Sequence, residues 1–330
     1  SFGIMGIVVY FLMTSLGEMA TKLPITGSFE TYASRFVDPA LGFALGWNYW
    51  FNWAITVAAE LVAAGLIIKF WFPTTRTTIW SLCFLVILLL LNILSAKTFG
   101  ESEFWFASIK VCAIIIFLVI GVLMIFGIMG GKSPGLQNWV LNDGHGHRGP
   151  FVGGMSAIMI GFFAAGFSFA GTEVIGLAAG EAENPEKEVP KAINTVFWRI
   201  LIFYIGAITV IGFLIPFTDP NLLKVGAENI AFSPFTIIFQ RSGIAIAASL
   251  MNAVILTSVL SCGNSGIYAG SRMLYAMAKE GKAPAFLGKV NKRGVPLNAV
   301  YLTTIVASSA FFSTLIGDGK IYMILYNASG

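Results

Sequence analysis

Residues 161–176 read Gly161-Phe-Phe-Ala-Ala-Gly166-Phe-Ser168-Phe-Ala-Gly171-Thr172-Glu173-Val-Ile-Gly176. The run is apolar enough to lie out of water, yet it carries four glycines, two hydroxyls and a carboxylate. Each interior glycine costs a helix roughly 1 kcal/mol against alanine, so a helix over 151–180 is weakened near its middle. Close helix packing in the small-xxx-small manner accounts for Gly166 and Gly171, but not for an acid beside them. A charge at the centre of a bilayer costs about 2.5 kcal/mol or more on insertion scales. Ligand sites inside membranes are built where such helices unwind and expose backbone N–H and C=O groups. Gly166, Ser168, Gly171 and Glu173 are therefore the first candidate binding residues.

The rest of the chain fits that environment. Of 330 residues, 57% are apolar and 11% charged, against roughly 45–50% and about 25% in an ordinary soluble domain. The mean hydropathy is +0.82, with 29 Phe and 8 Trp. These figures exclude disorder, a collagen-like chain and a disulfide-stapled secreted fold, and point to an all-α polytopic membrane protein. A net charge of +4, scattered along the chain, does not describe a nucleic-acid binder. Cys83, Cys112 and Cys262 stand in apolar stretches without Cys-x-x-Cys or Cys/His spacing, and read as buried thiols. His145 and His147 share a polar loop without a carboxylate cage, so no metal is expected there. No P-loop or nucleophile–base pair appears, and neither a cofactor nor an enzymatic activity is expected. Ser1 opens inside an apolar run with no leader pattern, and the chain reads as cut at its start and at Gly330.

A spanning helix takes about 20 apolar residues. Nine stretches qualify, near 2–20, 42–71, 78–95, 104–129, 151–180, 195–217, 244–270, 298–316 and 321–330, the first and last incomplete. The breaks fall at Pro24/Gly27, Pro73, Lys97–Gly100, Gly130–Pro134, Asn184–Pro190, Asp219/Pro220 and Gly281–Pro284. Loops after the odd-numbered stretches hold Lys22, Arg35, Lys97, Lys187, Lys191, Arg199, Arg272, Lys279, Lys282, Lys289, Lys292 and Arg293. The other side holds Lys69, Arg76, Lys132, Arg148, Lys224, Arg241 and Lys320. Twelve against seven makes the first side cytoplasmic, with a cytoplasmic membrane and its lipid bilayer as the setting.

Three further ionisable residues lie in or beside spans. Glu18 stands at the cytoplasmic end of its helix, where reaching the interface and gating are both open readings. Glu60 follows Tyr49 and Trp53 at helical spacing, and at 100° per residue the three share one face. Two rings and a carboxylate in one stripe suit a ligand bearing an ammonium group, since cation–π contacts contribute about 0.5–2 kcal/mol when desolvated; an interfacial aromatic belt is the other reading. Lys110 has no acid at i±3 or i±4 and sits about two turns inside its stretch. Burial would let it change protonation, while snorkelling to the interface remains the alternative.

At these residues a family becomes recognisable. Gly166 through Glu173, Gly180-Glu181-Ala-Glu-Asn184-Pro185, Pro190-Lys-Ala192 and Arg199-Ile200 resemble the signature of amino-acid permeases of the amino acid–polyamine–organocation (APC) superfamily. The resemblance continues through Ser15-Leu-Gly-Glu18-Met, Gly46-Trp-Asn-Tyr49-Trp and Asn264 to Tyr275, and so covers essentially the whole chain. Phe99 to Lys110 and Gly42 to Trp53 look most like bacterial lysine-specific permeases. The resemblance implies a LeuT-like inverted-repeat transporter fold of two five-helix repeats. Residues 1–330 would form one transmembrane domain from the second helix to the start of the tenth, lacking the first helix, which in the family holds the substrate's α-carboxylate. It implies that Lys110 couples transport to protons, that Tyr49, Trp53 and Glu173 meet the substrate, and that Glu181 is a family glutamate at the cytoplasmic end of the sixth helix.

The resulting expectation is a proton-coupled symporter, a secondary carrier importing an amino acid by alternating access, L-lysine first. Arginine, γ-aminobutyrate or an aromatic amino acid is the alternative cargo. A sensor that binds lysine without useful flux would keep the same residues. An ion channel would want a continuous polar pore, which isolated acids in apolar helices do not supply.

Overall fold

The computed structural model describes residues 1–25, 27–94, 96–131, 133–140, 152–182, 184–219, 233–243 and 246–329. Helices dominate, and among the described residues there is no strand. The order is α1 Phe2–Lys22, α2 Phe29–Phe36, α3 Pro39–Ile68, α4 Thr77–Leu94, α5 Ala96–Ile125, α6 Gly154–Ser168, α7 Val174–Ala178, α8 Pro185–Arg199, α9 Ala207–Leu214, α10 Pro234–Arg241, α11 Ala247–Lys279, α12 Leu297–Ala307, α13 Ser313–Ile316 and α14 Asp318–Ser329. A π-helical turn over Ile200–Gly206 joins α8 to α9, and a 3₁₀ turn over Ser308–Phe312 joins α12 to α13. Among the described residues, seven helical stretches are long and apolar enough to cross a membrane, counting α8 through α9 and α12 through α13 as one each. The chain is a multi-pass membrane protein.

Several boundaries differ from the sequence reading for local reasons. The expected span at 151–180 is two short helices: α6 ends at Ser168 and α7 begins at Val174. Gly171 between them has φ +90°, a left-handed conformation that a side chain would strain. Pro185 takes the first position of α8 after Asn184, and Pro190 sits inside the same helix. The Asn184–Pro190 segment thus starts a helix, because a first-turn proline gives up an N–H that has no helical partner anyway. Lys97 to Gly100 belong to α5, and Lys97 pairs with Glu101 at i,i+4, 4.0 Å apart. Residues 29–36, read from sequence as loop, form α2.

The basic residues also need correction. Arg199 ends α8 and Arg272 lies in α11; Arg272 is 3% exposed, its guanidinium 4.2 Å from the Tyr268 ring centroid. Both are therefore helical residues and leave the loop tally. Lys22, Arg35, Lys97, Lys187, Lys191, Lys279, Arg241 and Lys320 are helical as well; among the described residues of that tally, Lys282, Lys289, Lys292 and Arg293 on one side and Lys69 and Arg76 on the other stand outside helices. Cys83 and Cys112 are exposed on the outer helix surface and Cys262 is half-buried. The reading of three buried thiols fails because the apolar runs that hold two of them face outward, where the surrounding medium is itself apolar. His145, His147, Lys132, Arg148 and Lys224 lie outside the described residues.

The helix α3 organises the packing. Its second half, from Trp53 to Ile68, is almost wholly buried, in a core shared with Leu85 and Leu88 of α4, Ile267 of α11, Val300 of α12 and Leu325 of α14. Gly266 permits the α3–α11 crossing, since a Cβ there would stand 2.6 Å from Val57 and 3.0 Å from Trp53. A second core joins Met13 and Leu16 of α1 to Phe169 and to Val189, Ile193 and Val196 of α8. A third joins Phe117 of α5 to α9, α10 and Met251 of α11.

Candidate functional site

The break between α6 and α7 is held by its own acid. Glu173 Oε2 accepts from the Gly171 N–H at 2.8 Å, and Oε1 accepts from the Tyr49 hydroxyl at 3.1 Å. The carboxylate thus satisfies a backbone donor that unwinding has freed and ties the break to α3. Tyr49 stacks edge-on against Phe29 of α2 and against Trp53, with centroids 4.7 and 6.2 Å apart. Trp53 is 4% exposed and packs with Leu177 of α7 and Met273 of α11.

Beside this cluster lies a cavity of about 550 Å³, within the roughly 300–1,000 Å³ range of small-ligand sites. Trp53, Thr56 and Glu60 of α3 form one wall, and Gly166, Phe167, Ser168 and Ala170 form another; Cys262 of α11 and Ser329 of α14 complete it. The α3 stripe thereby meets the broken segment: Trp53, Glu60, Gly166 and Ser168 line the cavity, and Tyr49, Gly171 and Glu173 stand at the adjoining break.

Lys110 lies about four turns from the start of α5, at 3.6 residues per turn, because that helix begins at Ala96. It is therefore deeper than the two turns read from sequence. Its ammonium donates to Ser261 Oγ of α11 at 2.7 Å, and the Ser261 hydroxyl donates to Glu103 Oε2 at 2.6 Å. Asn264 donates to Glu103 Oε1 at 2.9 Å and accepts from Asn92 of α4 at 2.9 Å. Sequence reading missed Glu103, which precedes the apolar stretch taken to begin at 104. The signal was there: seven residues separate it from Lys110, which puts both on one helix face.

Glu18 stands apart. It is exposed and lines a separate, open cavity of about 820 Å³ between α1 and α8, with Lys22, Phe36, Ile193 and Asn194. Glu181 closes a 3₁₀ turn after α7, and its side chain lies outside the described residues. Among the described residues no group of three His, Cys, Asp or Glu could hold a metal ion.

The family model described as "Amino acid permease" matches residues 1–330. The chain belongs to the amino acid permease family. It is 51% identical over 331 residues to the lysine-specific permease LysP of Escherichia coli (strain K12), covering 100% of this chain and 67% of that protein. It is 54% identical to LysP of Lactococcus lactis subsp. cremoris (strain MG1363), over 99% of this chain and 64% of that one. The histidine permease HisP of the same L. lactis strain is 50% identical over 98% of this chain and 67% of its own length. The chain spans about two thirds of the length of these relatives, which are named as permeases and not as enzymes.

This permease has a further polar cluster that sequence reading missed, on the side of the basic loops. Glu30 of α2 is 0% exposed. Lys282 Nζ donates to Glu30 Oε1 at 2.5 Å, to Ser34 Oγ at 2.6 Å and to Glu280 Oε2 at 2.6 Å, while Thr31 donates to Glu280 Oε1 at 2.7 Å. α2 is thus latched to the segment following α11.

Proposed function

We propose that this permease carries L-lysine together with protons across the cell membrane by alternating access. The observation that carries the reading is the placing of Glu173 and Tyr49 at a broken helix whose neighbouring cavity is walled by Trp53 and Glu60. A cationic side chain entering there exchanges water for carboxylates and an aromatic face. Both substitutions gain strength where water is excluded. The α-amino and α-carboxylate groups would meet the backbone groups from Phe169 to Thr172, which lie between α6 and α7. Lys110 would supply the coupling charge, protonated in one state of the cycle and neutral in the other.

Similarity to proteins named for lysine supports the cargo. A relative named for histidine is almost as similar, which favours a second reading in which the site takes histidine. Competition decides between them: uptake of labelled lysine by the intact protein in proteoliposomes is measured with unlabelled lysine, arginine, histidine and γ-aminobutyrate as rivals. Lysine should compete about tenfold better than histidine, a preference of about 1.4 kcal/mol; the reverse order would move the cargo to histidine. Binding without uptake would make the protein a sensor.

A further inference from the structure

We propose that Glu103 is the proton acceptor of Lys110, with the Ser261 hydroxyl as the relay between them. The proposal rests on the reading of Lys110 as the coupling group and adds the residue to which its proton goes. An ammonium can only donate and a carboxylate can only accept. The Ser261 oxygen, 2.7 Å from Lys110 Nζ and 2.6 Å from Glu103 Oε2, must therefore accept from the lysine and donate to the glutamate. Asn264 is oriented by the same logic: its amide nitrogen faces Glu103 Oε1, and its oxygen faces the Asn92 amide. Ser261, Asn264 and Asn92 are 1%, 0% and 3% exposed, so the chain of donors is fixed on α11 and α4 and shut off from solvent.

The transfer balances without any other reactant. The Lys110 N–H bond breaks as that proton bonds to Ser261 Oγ, and the hydroxyl proton of Ser261 bonds to Glu103 Oε2. A charged amine and a carboxylate become a neutral amine and a neutral acid. Every partner keeps a hydrogen bond afterwards: the acid donates back to Ser261, the serine donates to the amine lone pair, and Asn264 still donates to Oε1. The same side chains thus satisfy both charge states, which an ion pair held only for packing would not require.

The placing also gives the step a direction. The charged and titratable groups that act on Lys110 are Glu103 on its own helix, Cys262 on α11, Arg199 on α8 and Glu60 on α3. Glu60 and Cys262 line the cavity. Glu103 lies about 10 Å nearer the cytoplasmic end of α5, at 1.5 Å per residue. A proton that enters beside Glu60 can leave past Glu103.

The test is the intact protein in proteoliposomes, with lysine accumulation under an imposed inward proton gradient measured beside lysine–lysine exchange at equal pH. Glu103→Gln and Ser261→Ala should each lower the ratio of accumulation to exchange about a hundredfold, the scale of a lost positioned proton acceptor. Glu103→Asp and Ser261→Thr, which keep the acid and the hydroxyl, should restore much of the ratio and show that the fold tolerates change there. If Glu103→Gln and Ser261→Ala accumulate lysine as the unsubstituted protein does while Lys110→Met does not, the relay is wrong and the coupling role of Lys110 stands. If Lys110→Met also accumulates lysine, the underlying reading falls. A parallel loss of exchange and accumulation in Glu103→Gln, unrelieved by Glu103→Asp, makes Glu103 structural and overturns the proposal.

Discussion

Glu173 receives two hydrogen bonds of different kinds, one from backbone at Gly171 and one from the Tyr49 hydroxyl. A glutamine there can accept only one of them with its oxygen and turns an N–H₂ toward the other donor. Glu173→Gln should therefore weaken lysine binding about tenfold or more, on the order of 1.4 kcal/mol, without loss of membrane insertion; calorimetric titration of purified protein checks it, and unchanged affinity would remove Glu173 from the site. Trp53 and Trp71 make a second comparison. Trp53 walls the cavity, whereas Trp71 donates to Ser249 at 2.7 Å in the turn after α3. Trp53→Leu should reduce lysine uptake well beyond Trp71→Leu, with equal effects returning Trp53 to an aromatic belt. These residues were legible because an acid among glycines, or in phase with two rings, is costly in an apolar helix unless it is used. Ser261 was not legible, since serine is cheap anywhere in a helix; Glu103 was passed over because it lies beyond the i±4 neighbours through which a lone lysine is ordinarily judged, although its seven-residue spacing puts it on the lysine's face.

At the scale of elements, glycine content foretold the break in 151–180, but not its length or its cross-link to α3, which depends on tertiary contact. The α2 helix was hidden for the opposite reason. Eight residues between two spans carry too little apolar pattern to read, and their order comes from Lys282 and Glu280, some 250 positions away. Burial works against the charge of Glu280, but the hydrogen bonds from Lys282 and Thr31 prevail and hold its carboxyl below the ordinary range. Its contribution is present above the unfolded value of about 4.3 and lost as pH falls through the lower folded one. Burial likewise opposes the charge of Lys282, and Glu280 and Glu30 prevail, raising it. That contribution is complete below about 10.4 and lost as pH rises through the higher folded value. Lys282→Met should destabilise the protein by about 3 kcal/mol by leaving Glu30 buried without its cation. The gap in unfolding temperature between it and the unsubstituted protein should stay level from about pH 5 to 9, the window between those two limits. A gap that changes between pH 6 and 8 would assign the latch to other groups.

Across the whole molecule, the long apolar runs carried the all-helical, multi-span architecture, since lipid leaves few alternatives to a spanning helix. What connects the two working regions is α3, which presents Tyr49 to the break, Trp53 and Glu60 to the cavity, and its buried half to α11, where Ser261 meets Lys110. The proposed substrate and coupling sites thus share α11, which brings Cys262 to the cavity and Ser261 to Lys110, so protonation at one can bias the packing around the other. The central claim is that proton movement at Lys110 drives lysine uptake. Its most direct measurement is lysine accumulation in proteoliposomes across a graded inward proton gradient, in the unsubstituted protein and in Lys110→Met. The account predicts accumulation that rises with the gradient in the first and mere equilibration in the second; accumulation by Lys110→Met in proportion to the gradient would contradict it.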